Sequence, residues 1–232
     1  MMDQLVYIAC TRLLDEAVKA EALKKQVQLN DDSFLNISYP DHPLLVETLR
    51  ENVDPIVFTS IHAVKAVQQL INKYQFKLKT NLAFCITGKT ALCAVKNGFS
   101  ILDEAVNASL LANKIIRKKS KSVLHCTANI RRNELVHELL NKGIRVKIAE
   151  VYHKELVNKK VLKFDGVMFF SPSQVDAFLS GNMLLPHLPA FCIGATTAKH
   201  LASLNHSNII TSNISNEQAL LEQVYKYYKI KL

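Results

Sequence analysis

Hydroxyl side chains stand repeatedly where a short apolar run ends and helical spacing begins: Thr11, Thr59, Ser60, Thr87, Thr90, Thr127, Ser171, Ser173, Thr196 and Thr197. At such a junction a Ser or Thr can cap the helix, an interaction worth about 1 kcal/mol. The junction also leaves the N–H groups of the first helical turn without carbonyl partners and gives them partial positive charge. Capping alone explains any single one. Several beside a common crevice would hold a ligand bearing several carboxylates or phosphates.

The elements that must position these residues occur nearly twice. Ala83–Ala91 reads AFCITGKTA and Ala190–Ala198 reads AFCIGATTA. In each, Ala-Phe-Cys-Ile suits a short buried strand, a Gly-containing corner follows, and a Thr opens a helical run. The spacing puts Leu92 and Val95 on the apolar face of the first helix and Leu201 and Leu204 on that of the second, with Thr90 and Thr197 as caps. Gly98 and Asn205 each stand eight residues past the capping Thr, and both types tolerate the left-handed conformation that closes a helix. Phe58-Thr59-Ser60 is mirrored by the strand end at Ser171-Pro172-Ser173, Cys10-Thr11 by Cys126-Thr127, and Tyr39 by Tyr152. The offset between the copies drifts slowly, as small loop deletions leave it after a duplication.

Taken in order, strands are expected at 5–10, 34–39, 56–59, 83–86, 100–102, 123–126, 146–152, 167–170, 190–193 and 209–211. Helices are expected over 13–29, from Ser60 through Ile71, after Thr90, over 108–117 and 133–141, after Ser171, after Thr197 and over 217–228. Pro40 and Pro43 mark one candidate boundary and the polar stretch His153–Lys163 a second. Short apolar strands alternating with helices predict α/β architecture, with parallel sheets covered on both faces. Ligands of such sheets bind at the carboxyl ends of the strands, where the hydroxyls above are concentrated.

With 232 residues, 49% of them apolar, the chain can build one or two packed cores. Twenty-nine Lys and Arg against 20 Asp and Glu give a net charge of +9, which makes an anionic partner the default expectation. The cluster Lys114, Arg117, Lys118, Lys119 and Lys121 suits a solvated helix C-terminus. Salt-sensitive nucleic-acid binding is its competing use. A two-lobed binding protein for a polyanionic small molecule, without chemistry, also fits paired α/β units. The five Cys form no C-x-x-C pair and read as buried thiols of a reducing cytosol. Asp3 stands early, the first apolar run is short, and no run of 18 apolar residues occurs, so a soluble, cytoplasmic protein without membrane contact is expected.

Thr87-Gly88-Lys89-Thr90 imitates the end of a P-loop, but position 83 is Ala where that motif needs Gly. The His residues show no metal-binding spacing, and His42, His62, His137 and His200 read as exposed polar positions. A G-x-S-x-G elbow is absent from the sequence.

The ordered set Phe58-Thr59-Ser60 with Ala63-Val64, Gly88-Lys89-Thr90-Ala91, Val151-Tyr152, Phe169-Phe170-Ser171-Pro172-Ser173 and Ile193-Gly194-Ala195-Thr196-Thr197-Ala198 resembles the uroporphyrinogen-III synthase family. Asn129-Ile130-Arg131-Arg132 resembles that family's polar turn ahead of a helix. The resemblance spans almost the whole chain. It implies two flavodoxin-like parallel-sheet domains with exchanged strands, 1–38 plus 155–232 in one and 39–154 in the other, joined by a two-stranded hinge containing Tyr39 and Tyr152, with a cleft between them. The residues' own spacing leaves exchanged and sequential halves equally open.

The implied reaction takes hydroxymethylbilane, a linear tetrapyrrole bearing eight carboxylates, to uroporphyrinogen III with loss of water and inversion of the last ring. No cofactor or metal is implied, and nucleic acid is not a partner on this reading. Transient contact with the enzyme that makes the bilane is a further expectation from the resemblance. Tyr152 is the candidate catalytic residue. The implied substrate-binding set is Thr59, Ser60, Lys89, Thr90, Arg131, Ser171, Ser173, Gly194, Thr196 and Thr197.

Overall fold

The structure, a computed structural model, describes residues 5–230; Asp3 lies outside them. The chain forms two compact units, one comprising residues through Asn36 together with those from Glu155 on, the other Ile37–Lys154.

In the first unit β1 (Val6–Cys10), β2 (Val27–Asp31), β9 (Gly166–Phe169), β10 (Ala190–Cys192) and β11 (Ile209–Thr211) form one parallel sheet in the order β11-β10-β9-β1-β2. Counted along the chain this is 2-1-3-4-5, a doubly wound order that puts helices on both faces. α1 (Glu16–Lys24), α7 (Pro172–Gly181), α8 (Ala195–Ser203) and α9 (Glu217–Tyr227) cover it. β9 and β10 are buried at every residue, the near-continuous apolar pattern required of a strand with both faces covered.

The second unit's sheet has the order β3-β8-β7-β4-β5-β6, with β3 (Leu35–Ser38), β4 (Ile56–Phe58), β5 (Leu82–Ile86), β6 (Ser100–Ala105), β7 (Ser122–Ala128) and β8 (Arg145–Leu156). Its helices are α2 (Pro43–Arg50), α3 (Ile61–Tyr74), α4 (Lys89–Lys96), α5 (Ala108–Arg117) and α6 (Glu134–Leu140). Setting β3 aside, β7 and β8 hold the places that β1 and β2 hold in the first unit. Each sheet therefore combines the opening strand pair of one sequence copy with the closing three strands of the other. The chain passes between the units within β3 and within β8.

Several expectations need correction. The helix expected over 13–29 is α1 alone: Gln26 takes a left-handed φ of 61°, and Val27 and Leu29 then bury alternately as β2. Pro43 does not merely break the chain; it opens α2, whose Leu45, Val46 and Leu49 are buried, because the first helical position needs no backbone donor. Leu92, Val95 and Leu204 are exposed, whereas Leu201 is buried as expected. α4 instead buries Thr90, Ala91 and Ala94, small side chains that let it lie close to α3. The helix stops hold: Gly98 has φ 84° and Asn205 φ 65°. All five Cys are free thiols; Cys10, Cys85, Cys126 and Cys192 are buried and Cys93 is partly so. Burial pushes the Cys85 and Cys192 thiols up to about 12, which keeps them protonated and unreactive.

Candidate functional site

At the carboxyl end of β4 the chain places Thr59 and then Ser60, the N-cap of α3, whose Oγ accepts from the His62 N–H at 3.2 Å. The parallel register sets Tyr152 of β8 opposite Ala128, the last residue of β7, so Tyr152 lies at this same end of the sheet. Its side chain is buried, and its ring lies 5.7 Å from the ring of His62, two residues past the Ser60 cap. His62 Nδ1 is 3.2 Å from the Tyr39 hydroxyl, and Lys154 Nζ lies 5.8 Å from the Tyr152 ring centroid. His62 is thus half-buried in an aromatic cluster rather than exposed.

Burial raises the Tyr152 phenol above its ordinary range, with the nearby Ser60 hydroxyl opposing the effect and Tyr39 adding to it. Burial, then Lys65 and Lys154, lower His62 and keep it neutral, and burial lowers Lys154. The phenol therefore stays protonated at neutral pH and is able to donate.

The other junctions of this unit are built differently from expectation. Gly88, not Thr90, is the N-cap of α4, with φ 77°, a conformation that favours glycine, and no side-chain cap. Thr90 is buried at the second helical position, and Lys89 is exposed at the first. Arg131, beyond β7, puts Nη1 2.6 Å from Glu150 Oε1 and 3.4 Å from the Ala128 carbonyl, while its Nε is buried without a partner. Thr59 Oγ1 lies 3.3 Å from Nε2 of His125, a buried side chain of β7.

In the first unit Ser171 caps α7, its Oγ accepting from the Gln174 N–H at 3.3 Å, with Pro172 at the first helical position and Ser173 half-buried behind it. Gly194 caps α8 in extended conformation, so Thr197 is not the cap but a buried residue of the first turn. The Thr197 and Ala198 N–H groups both donate to the Gly194 carbonyl at 3.1 Å. The N–H groups ahead of them, of Ala195 and Thr196, are the ones an anion could use. Thr11 is consumed by the scaffold, its N–H and Oγ1 both donating to the Met168 carbonyl. Arg12 stacks over Phe170, 4.1 Å from the ring centroid, and pairs with Glu217. Sequence reasoning missed Arg12, His62 and His125 as site neighbours; a polar residue inside the apolar run Ser122–Ala128 was the one local signal for His125.

An outcome follows for α8. Ala195→Pro should fold, because the preceding Gly194 is already extended and α7 carries Pro172 at the matching place. It removes one donor open to an anion, so anion binding at this turn should weaken roughly tenfold. Thr197→Pro should instead lower stability by about 1 kcal/mol with little change in that binding, since that N–H is already spent within the helix. Anion titration beside thermal melting separates the two.

The basic cluster lies elsewhere. Lys119 and Lys121, with Lys142 and Arg145, line a cavity of about 430 Å³ beside the amino ends of β7 and β8, away from the hydroxyls. Lys114 pairs with Asp103 at 2.7 Å. Among the described residues no group of three or more His, Cys, Asp or Glu could hold a metal ion, and no helix is long and apolar enough to cross a membrane.

These features define a two-unit, doubly wound α/β protein with exchanged strand pairs, its polar groups gathered at the carboxyl ends of parallel strands. The profile of the uroporphyrinogen-III synthase HemD family matches residues 32–222, and the chain belongs to that family. It is accordingly an enzyme, a cyclising lyase of tetrapyrrole biosynthesis. Its fold is similar to that of a mutant uroporphyrinogen III synthase of the extremely thermophilic bacterium Thermus thermophilus, with a TM-score of 0.75 at 16% identity over 97% of this chain and 99% of the other. Uroporphyrinogen-III synthetase of Helicobacter pylori 26695 gives a TM-score of 0.64 at 21% identity, covering 96% and 99%. The wild-type Thermus thermophilus enzyme gives 0.59 at 17%, covering 97% and 98%. No curated protein matches the sequence significantly.

Proposed function

We propose that this chain performs the family's reaction, from hydroxymethylbilane to uroporphyrinogen III, with Tyr152 giving a hydrogen bond or proton to the departing hydroxyl. The observation that carries the reading is a buried tyrosine at the carboxyl end of the sheet, its ring 5.7 Å from that of His62 in the first turn after the Ser60 cap. As the carbon–oxygen bond of the hydroxymethyl group breaks, the phenol proton completes the water that leaves. Ring closure then releases a proton from the last pyrrole, which restores the phenol.

The bilane closes without help to the uninverted isomer, so the enzyme's main task is to hold the chain such that the last ring attacks through its substituted carbon. The backbone N–H groups opening α3, α4, α7 and α8, with the hydroxyls of Thr59, Ser60, Ser171, Ser173 and Thr196, would hold the carboxylates. Lys89 and Arg131 add charge, Gly194 lets the backbone approach, and the buried Thr90 and Thr197 shape the first turns. The two units would act as domains hinged through β3 and β8. Function in the cytoplasm, with transient contact to the enzyme supplying the unstable bilane, completes the proposal.

The test is to supply the linear tetrapyrrole and identify the isomer. Type III is expected, with a KM that rises with salt while kcat changes little, because charges more than about 8 Å apart are largely screened near 0.15 M ionic strength. Excess type I product would sink the reading, and a KM indifferent to salt would remove its electrostatic part.

A further inference from the structure

His125 is a charge-capable side chain in the middle of an apolar strand, only 2% exposed, and the reaction as described above does not use it. The register of β4 on β7 sets Val57 opposite His125 and Phe58 opposite Cys126, so Thr59 is the next residue but one along the face that His125 occupies. The two side chains meet at 3.3 Å through Thr59 Oγ1 and His125 Nε2. The other ring nitrogen, Nδ1, is buried and has no hydrogen-bond partner.

We propose that His125 is a positioning residue for substrate binding: its Nε2–H donates to the Thr59 hydroxyl oxygen, which commits the single hydroxyl proton of Thr59 to a substrate carboxylate. The inference rests on the assignment of Thr59 to the substrate site. A neutral imidazole has one donor and one bare acceptor, and a hydroxyl has one proton and two lone pairs. Buried N–H groups are left without a partner more rarely than buried acceptors. The unpartnered Nδ1 is therefore the bare nitrogen, and Nε2 carries the proton. Thr59 Oγ1 accepts that proton, so its own must go elsewhere.

Thr59 is half-buried beside the N-terminus of α3, where the helix dipole favours an anion, and a hydroxyl oriented to donate there complements it. Burial and the Arg131 charge push His125 down to about 4, so the ring stays neutral across the working pH range with a single N–H. A Thr without this partner could rotate its proton toward any acceptor and would meet a carboxylate with its lone pairs part of the time.

Two measurements test this. In the free wild-type protein, ¹⁵N shifts of the His125 ring should report the Nε2–H tautomer near neutral pH; the Nδ1–H tautomer or a charged ring overturns the proposal without any substrate being involved. In kinetics of type III formation, Thr59→Val and His125→Leu should each raise KM roughly three- to tenfold with kcat little changed. The double variant should be no worse than the poorer single, because both remove the same oriented proton. His125→Gln, whose amide can donate to Thr59, should recover most of the loss, and it stands in for His125→Leu if that variant does not fold.

Effects of the two substitutions that multiply would show that His125 is merely structural and overturn the proposal. A folded His125→Leu with wild-type KM beside an impaired Thr59→Val overturns it as well, while leaving Thr59 in the site. An unimpaired Thr59→Val removes Thr59 from the site, and the proposal with it, although type III formation by the wild type would still uphold the functional reading.

Discussion

Replacing Tyr152 by Phe lowers kcat between a few-fold and about a hundredfold, with KM little changed and type III still the main product. General acid catalysis is typically worth roughly 10² to 10⁴ in rate, whereas a positioning hydrogen bond is worth about 0.5–1.5 kcal/mol, at most roughly tenfold. A loss at or above the upper end assigns proton donation to Tyr152. A loss within tenfold leaves it an orienting role, with ionisation of the hydroxyl falling to the helix dipoles and the electron-rich pyrrole. The ring packs against His62 and belongs to the core of its unit, and Phe keeps those contacts. Thermal melting should therefore move little, which isolates the hydroxyl. Unchanged kcat and KM would make Tyr152 a packing residue.

A second large effect is expected in acid. His125 titrates near 4 in the fold, against about 6.5 in an unfolded chain, so between these values the unfolded state binds the extra proton. Stability from this residue is complete above about pH 6.5 and is lost as the pH falls toward 4, about 3 kcal/mol in all. His62 is lowered for the same dominant reason and acts in the same direction. Urea unfolding from pH 7 to pH 4 should show the wild type losing about 3 kcal/mol more than His125→Gln. Parallel curves for the two proteins would mean that His125 is not held neutral by the fold.

Much of the local structure was legible because it is fixed by neighbours in sequence. Ser60 and Ser171 cap the helices that follow them, Asn205 and Gly98 close theirs in left-handed conformation, and α5 and β11 lie where periodicity put them. Where local rules allow two outcomes, the reading failed. Val27 and Leu29 fit a helical stripe as well as a strand face, and the edge of the sheet beside β1 decided for the strand. Thr90 and Thr197 have the right chemistry for caps, but Gly88 and Gly194 make the corner and leave the Thr side chains buried in the first turn. Leu92 and Val95 have helical spacing, yet α4 turns its small residues inward.

By itself the sequence determined a duplicated α/β chain, its polar groups at strand ends, and a resemblance that the match over residues 32–222 makes a family membership. Only the tertiary structure decided which strands share a sheet. β1, with β2 on its other side, pairs with the distant β9, and β7, with β8 on its other side, pairs with the preceding β4, because either partner would satisfy the same apolar faces and only the assembled cores distinguish them. Tertiary structure also decided which polar groups face one another. Thr59 with His125 and Tyr152 with His62 bring together residues 66 or more positions apart, set by sheet register, and no local spacing encodes a register between strands so far separated along the chain.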